Sequence, residues 1–159
     1  MYYRDAREFF EAAREASRDA ERIRRQLGAM AERAEALGGG GFEPRVRSTG
    51  EPDRMGSRVA AMVDREAMLV ERQADDYALI DAACRVLYGD GSDSGLWALV
   101  GWRADALALH YLDDMTWAEV AAKLCYSESH VQHEAQVALD VADGWGMARV
   151  VDGTGGAEG

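Results

Sequence analysis

Phe9, Ala13, Ala16, Ala20, Ile23, Leu27, Met30, Ala34 and Leu37 recur at alternating steps of four and three, with Arg and Glu filling the gaps. That period is the a/d stripe of an amphipathic helix, and it predicts one long helix from about Tyr3 to Leu37. The seam is rich in Ala, so another helix can approach it closely. "GGGG" at 38–41 ends the pattern, and "FEPRVRSTGEPDRMGS" continues as a turn-rich linker that holds both prolines, Pro44 and Pro52. A second periodic segment begins near Arg54 to Ser57. Its apolar side is Val59, Met62/Val63, Leu69/Val70, Tyr77, Ile80, Cys84 and Leu87, and it ends at "YGDGSDSG" (88–95). The simplest arrangement is a charged antiparallel hairpin over residues 1–90 with its linker at 38–57. A homodimer through the N-terminal helices, as a coiled coil, is the other use of such a seam.

Beyond residue 95 the pattern shortens. Trp97, Val100, Ala104, Leu107 and Tyr111 share one face of a helix at about 96–112, and "DDM" breaks it. "TWAE" (116–119) is a capping box, with Thr116 at the cap and Glu119 three residues on. The helix it opens is short and runs to Leu124. "CYS" turns the chain, Ser127 caps again, and a last helix runs from about Glu128 to Ala142. "GWGMARVVDGTGGAEG" (144–159) reads as a weakly ordered tail, from which Trp145 can dock. No strand pattern stands out. The expected fold is therefore all-α: a long antiparallel hairpin, then a tri-helical unit at 96–143.

Composition changes this picture mainly through charge. The net charge is −11, yet twelve of the 18 basic residues fall between Arg4 and Arg58, while Lys123 and Arg149 are the only bases from Asp113 onward. An acidic half works against non-specific affinity for nucleic acid, because phosphate neutralisation supplies most of it. No apolar run approaches the about 20 residues that cross a bilayer, so no membrane partner is expected. The start, "MYYRDAREFF", lacks the apolar core of a signal peptide. Cys84 and Cys125 read as free thiols of a cytoplasmic protein.

Candidate chemistry concentrates at the last two helices. A short helix, a three-residue turn and a longer helix, with small Ala121 in the first and Val131 ten positions later, have helix-turn-helix spacing. Ala121 allows a close crossing, Val120 and Leu124 fill the angle, and Val131 anchors the second helix. "ALALHYLDDMTWAEVAAKLCYSESHVQHEAQVAL" resembles region 4 of sigma-70 factors, and more closely the sigma-70 region-4-like (ArpU-like) regulators of phages and prophages. The matching positions are Leu107 to Tyr111, Thr116, Trp117, Glu119, Val120, Ala121, Tyr126, Ser127, Val131, Ala138 and Leu139. The resemblance implies a transcriptional regulator that binds double-stranded DNA, touches RNA polymerase and performs no catalysis.

Three departures qualify it. Cys125 stands where that family uses Gly, at a turn position of positive φ, and a side chain there costs roughly 1 kcal/mol. Glu134 replaces an apolar residue, so a small rotation of the helix would bring Ala135 inward instead. The bases that flank such a helix are missing, with Glu128, Glu134 and Asp140 in their place. By helix-turn-helix geometry Ser127, Glu128, Ser129, Gln132, His133 and Gln136 face outward. Gln pairs bidentately with adenine, Ser reaches phosphate or base, and Glu accepts from cytosine. Arg45 and Arg47 in the linker, with Arg54 and Arg58, are the candidates to supply charge.

Two alternatives stay open: an interaction module whose helix-turn-helix no longer reads DNA, and the small subunit of a phage terminase. Cys125, His130 and His133 match no common zinc spacing, and the glycine run lacks the Lys-Ser/Thr of a phosphate loop. No metal, cofactor or enzymatic activity is expected.

Overall fold

The computed structural model describes residues 2–38, 52–90 and 94–153. It is all-α, without a strand among those residues. Helix α1 spans Ala6–Gly38 and α2 spans Pro52–Tyr88. They are followed by α3 (Leu96–Val100), α4 (Trp102–Leu107) with a π-helical turn Ala108–Leu112, α5 (Trp117–Leu124), α6 (Glu128–Trp145) and α7 (Met147–Asp152). Most of the linker expected at 38–57, including Arg45 and Arg47, lies outside the described residues.

Contacts divide the chain into residues 19–75 and a unit made of 1–18 with 76–159. The division cuts through both long helices instead of falling after residue 90. The reason is the first three turns of α1. Phe9 and Phe10 are adjacent in sequence and both wholly buried, so this stretch is covered on a face wider than its a/d seam. It packs into one core with Val86 and Leu87 of α2, Leu96, Leu107, Tyr111 and Leu139. Tyr3, Phe9, Phe10 and Tyr111 form a run of ring contacts at centroid separations of 5.4, 5.3 and 5.7 Å. Burying a Phe side chain is worth about 1.5–3 kcal/mol, so this pair outweighs any surface ion pair nearby.

Within residues 19–75 the two helices run antiparallel. Arg72 donates two hydrogen bonds of 2.7 Å to the Asp19 carboxylate. Gln26, Met30 and Arg33 share a groove of about 280 Å³ with Met62, Arg65 and Leu69. Burial along the α1 seam fades outward: Ala20 and Ile23 are buried, Leu27 and Met30 are half-buried, and Ala34 is exposed.

Two expectations change. The helix anticipated over 96–112 is interrupted at Gly101, whose φ of 62° and ψ of −130° lie where side chains are rarely tolerated. The apolar spacing continues across this break, which is why periodicity alone misses it. After it, the π-helical turn, closed by Asp113 N–H donating to the Ala108 carbonyl at 3.0 Å, buries both His110 and Tyr111. The tail is the second correction. Residues 147–152 form α7, and Val150 is wholly buried in the same core as Phe9 and Leu139.

Replacing Gly101 with Ala meets open space but keeps the unfavourable backbone. The expected loss is about 1–2 kcal/mol in chemical denaturation. A loss below experimental error would show that the chain relaxes freely at this corner.

Candidate nucleic-acid interface

Helix α5 begins where Thr116 Oγ accepts from the Glu119 amide at 3.2 Å. It buries Val120 and Ala121, and these meet Val131 and Ala106 in a second, smaller core ringed by Trp102, Met115, Trp117 and Leu124. The helix ends in a Schellman closure: the Tyr126 amide donates to the Ala121 carbonyl at 3.1 Å and the Cys125 amide to Ala122 at 3.4 Å. That closure requires a left-handed residue, and Cys125 supplies it at φ 61°, ψ 38°. Ser127 then caps α6, its Oγ accepting from the His130 amide at 3.3 Å. Trp102 stacks on Tyr126 at 4.6 Å and lies 5.8 Å from the His130 ring, so the turn is held against α4 from outside.

Ser127, Glu128, Ser129, Gln132 and His133 are all exposed, on the first two turns of α6. Gln132 donates to Glu128 at 3.2 Å along the same surface. Gln136 differs from expectation: it is half-buried, its amide nitrogen donates to Asp140 at 2.9 Å, and its carbonyl oxygen receives Arg7. Both ends of this amide are thus occupied, and base reading would require them to let go. Ala135, rather than residue 134, packs inward.

Glu134, one of the acids that counted against a DNA surface, has a partner, and so do two other acids of the C-terminal half. Arg103 donates to Glu134 and holds that carboxyl below its usual range. Asp143 accepts from the Ala6 amide at 2.7 Å, where a carboxylate also meets the positive end of the α1 dipole. Asp114 receives Arg14 at 2.8 Å and Arg18 at 2.9 Å. Burial works to raise the Asp114 pKa, but these two hydrogen bonds outweigh it and the net shift is downward. Two N-terminal arginines thus neutralise Asp114 inside one unit, and Arg103 neutralises Glu134.

Arg7 is the functional candidate that sequence reasoning missed. With Arg14, Gln132, Gln136 and Trp117 it lines a groove of about 300 Å³ beside α6. The signal was the doublet Phe9–Phe10, which is too apolar for the free arm of a hairpin. Behind the groove His110 is buried, stacked on Trp117 at 3.8 Å. The Met115 carbonyl can only accept, so His110 Nδ1 carries the proton at 2.7 Å from it. Nε2 then accepts from Arg14 at 3.2 Å, an arrangement open only to the neutral ring.

Among the described residues no three His, Cys, Asp or Glu side chains converge as a metal site, and no helix is long and apolar enough to cross a membrane. Comparison of the chain with protein-family models, with curated proteins and with solved structures finds no match. Fold class and site thus stand on this chain's own geometry.

Two outcomes follow from that geometry. Cys125→Gly removes the left-handed penalty at the turn, and denaturation midpoints should rise by the equivalent of about 0.5–1 kcal/mol. No gain would mean that the exposed Cys125 side chain repays its strain. The second concerns pH. Burial pushes the His110 pKa below its ordinary 6.5, so the unfolded chain binds more protons than the folded one. Stability is then full at neutral pH and declines as pH falls through the unfolded value. Melting temperature should drop between about pH 7 and pH 5, and His110→Gln should flatten that limb; an unchanged slope would discharge His110 from the role.

Proposed function

We propose that this chain is a DNA-binding regulator of the sigma-70 region-4-like kind, acting on double-stranded DNA through the first two turns of α6. The observation that carries the reading is the inward pairing of Glu134 with Arg103. It removes one of the three acids, Glu128, Glu134 and Asp140, that stood in place of bases on this helix, and leaves Ser129, Gln132 and His133 as an outward row. Gln132 suits bidentate pairing with adenine, His133 and Ser129 suit base edge or phosphate, and Glu128 suits the amino group of cytosine. The amides at the start of α6 favour a phosphate. Arg7 on one flank and Lys123, exposed at the end of α5, provide modest electrostatic anchoring. Phosphate contacts of this number predict a shallow salt dependence and affinity that leans on base contacts.

Enrichment from a random duplex pool, followed by anisotropy over a salt series, tests it. A preferred sequence should emerge. Gln132→Ala or His133→Ala should weaken that sequence by about tenfold relative to others. Arg7→Ala should weaken all sequences alike and lower the salt slope by about 1. No complex with any duplex even at about 50 mM salt would sink the proposal.

A further inference from the structure

Helix α2 carries a second apolar stripe, separate from the side it turns toward α1. Val59, Val63, Ala67, Val70 and Ala74 follow at steps of four, four, three and four, all exposed, with the three valines 49–58% accessible. At about 100° per residue these five share one narrow face. The groove-lining residues Met62, Arg65 and Leu69, and Arg72 on Asp19, point elsewhere. Charges over residues 58–72 are segregated as well. Arg58, Arg65 and Arg72 fall on the half away from the stripe, whereas Glu66 borders one edge of it and Asp64 and Glu71 the other.

An unpartnered stripe edged by acid on both sides excludes some occupants. A second copy of the same face would bring Asp64, Glu66 and Glu71 against their own counterparts, with no cation between them. The α1 segment of a second copy does not fit either. Its apolar positions Ile23, Leu27 and Met30 are buried or half-buried already, and no other face of residues 19–36 repeats apolar side chains at helical spacing. We propose that this face of α2 docks an amphipathic helix of a different protein, whose apolar stripe is flanked by Lys or Arg. Valines set a shallow, β-branched seam for helix packing, and the edge acids select the basic partner and its register.

The probes are two synthetic helices of about four heptads with the same Leu stripe, one flanked by Lys and one by Glu, titrated against the full chain by anisotropy. The Lys helix should bind at least about tenfold more tightly than the Glu helix. Val63→Asp with Val70→Asp should abolish that binding, with helicity checked by circular dichroism. Glu66→Lys with Glu71→Lys should reverse the preference. Glu32→Lys with Glu35→Lys, the same charge change on α1, should leave it intact. The proposal is overturned if both α1 and α2 charge variants shift binding equally, which would be attraction to net charge alone. It is equally overturned if sedimentation shows the chain dimerising through Val63 and Val70, or if neither helix binds.

Discussion

The seating of two adjacent rings, Phe9 and Phe10, governs what the rest of the molecule can be. A helix has only one seam, so burying both neighbours forces the start of α1 to be covered over a broad arc. The cover comes from α2, the α4 region and α6 together. Once the rings are in place, α1 begins beside the C-terminal turns of α6, and Asp143 reaches the Ala6 amide. Arg14 and Arg18 then come to Asp114 at the end of the π-helical turn. The apolar term supplies the energy of docking. The ion pairs are largely solvent-exposed, with Arg18 and Asp114 side chains about two-fifths accessible, and contribute direction more than stability.

Charge in this chain has to be read after folding. By sequence most of the bases fall in the first third while the last third is acidic, as if the two should be assigned to different partners. Folding sets Arg14 and Arg18 against Asp114, and Arg103 against Glu134, so α6 presents less negative charge than its sequence. The reverse holds on α2. Arg72 pairs with Asp19 and Arg65 lines the groove shared with α1, whereas Asp64, Glu66 and Glu71 stay exposed. Two helices of mixed composition thus present opposite corrections to their sequence charge, for the same reason: an ion pair consumes the residue that faces inward.

How far the sequence could be read depended on the range of the interaction. Local signals were readable. Thr116 and Ser127 cap where a Ser/Thr ahead of an apolar period should cap, Val131 is wholly buried, and Cys125 takes the left-handed turn that its place in the motif required. The ends of α1 and α2 follow the glycine-rich stretches. Gly101 escaped because a corner that keeps the apolar spacing leaves no mark on periodicity. The helix α7 escaped because it is six residues long between two glycines, and only a prebuilt core can select it. Arg7, Arg103 and Arg14 escaped for a third reason, since their partners lie 31 to 129 positions away. No local pattern distinguishes a paired arginine from a free one.

The α5–α6 corner shows what such pairing leaves to chemistry. The Schellman closure at Cys125, the Ser127 cap and the Trp102–Tyr126 stack each satisfy the backbone or the rings of the turn without using a side chain of Ser129, Gln132 or His133. Ser129 and His133 are therefore held outward on the helix, Gln132 gives its amide to Glu128 of the same surface, and Gln136, one turn on, is spent on Arg7 and Asp140. A surface residue's availability is a structural quantity of the same kind as burial. Along α6 the run of outward polar side chains occupies the first two turns, and from Gln136 to Asp143 the helix meets the N-terminal turns of α1. The first two turns of α6 thus keep the outward polar side chains, and Arg7 marks the edge where that row gives way to packing.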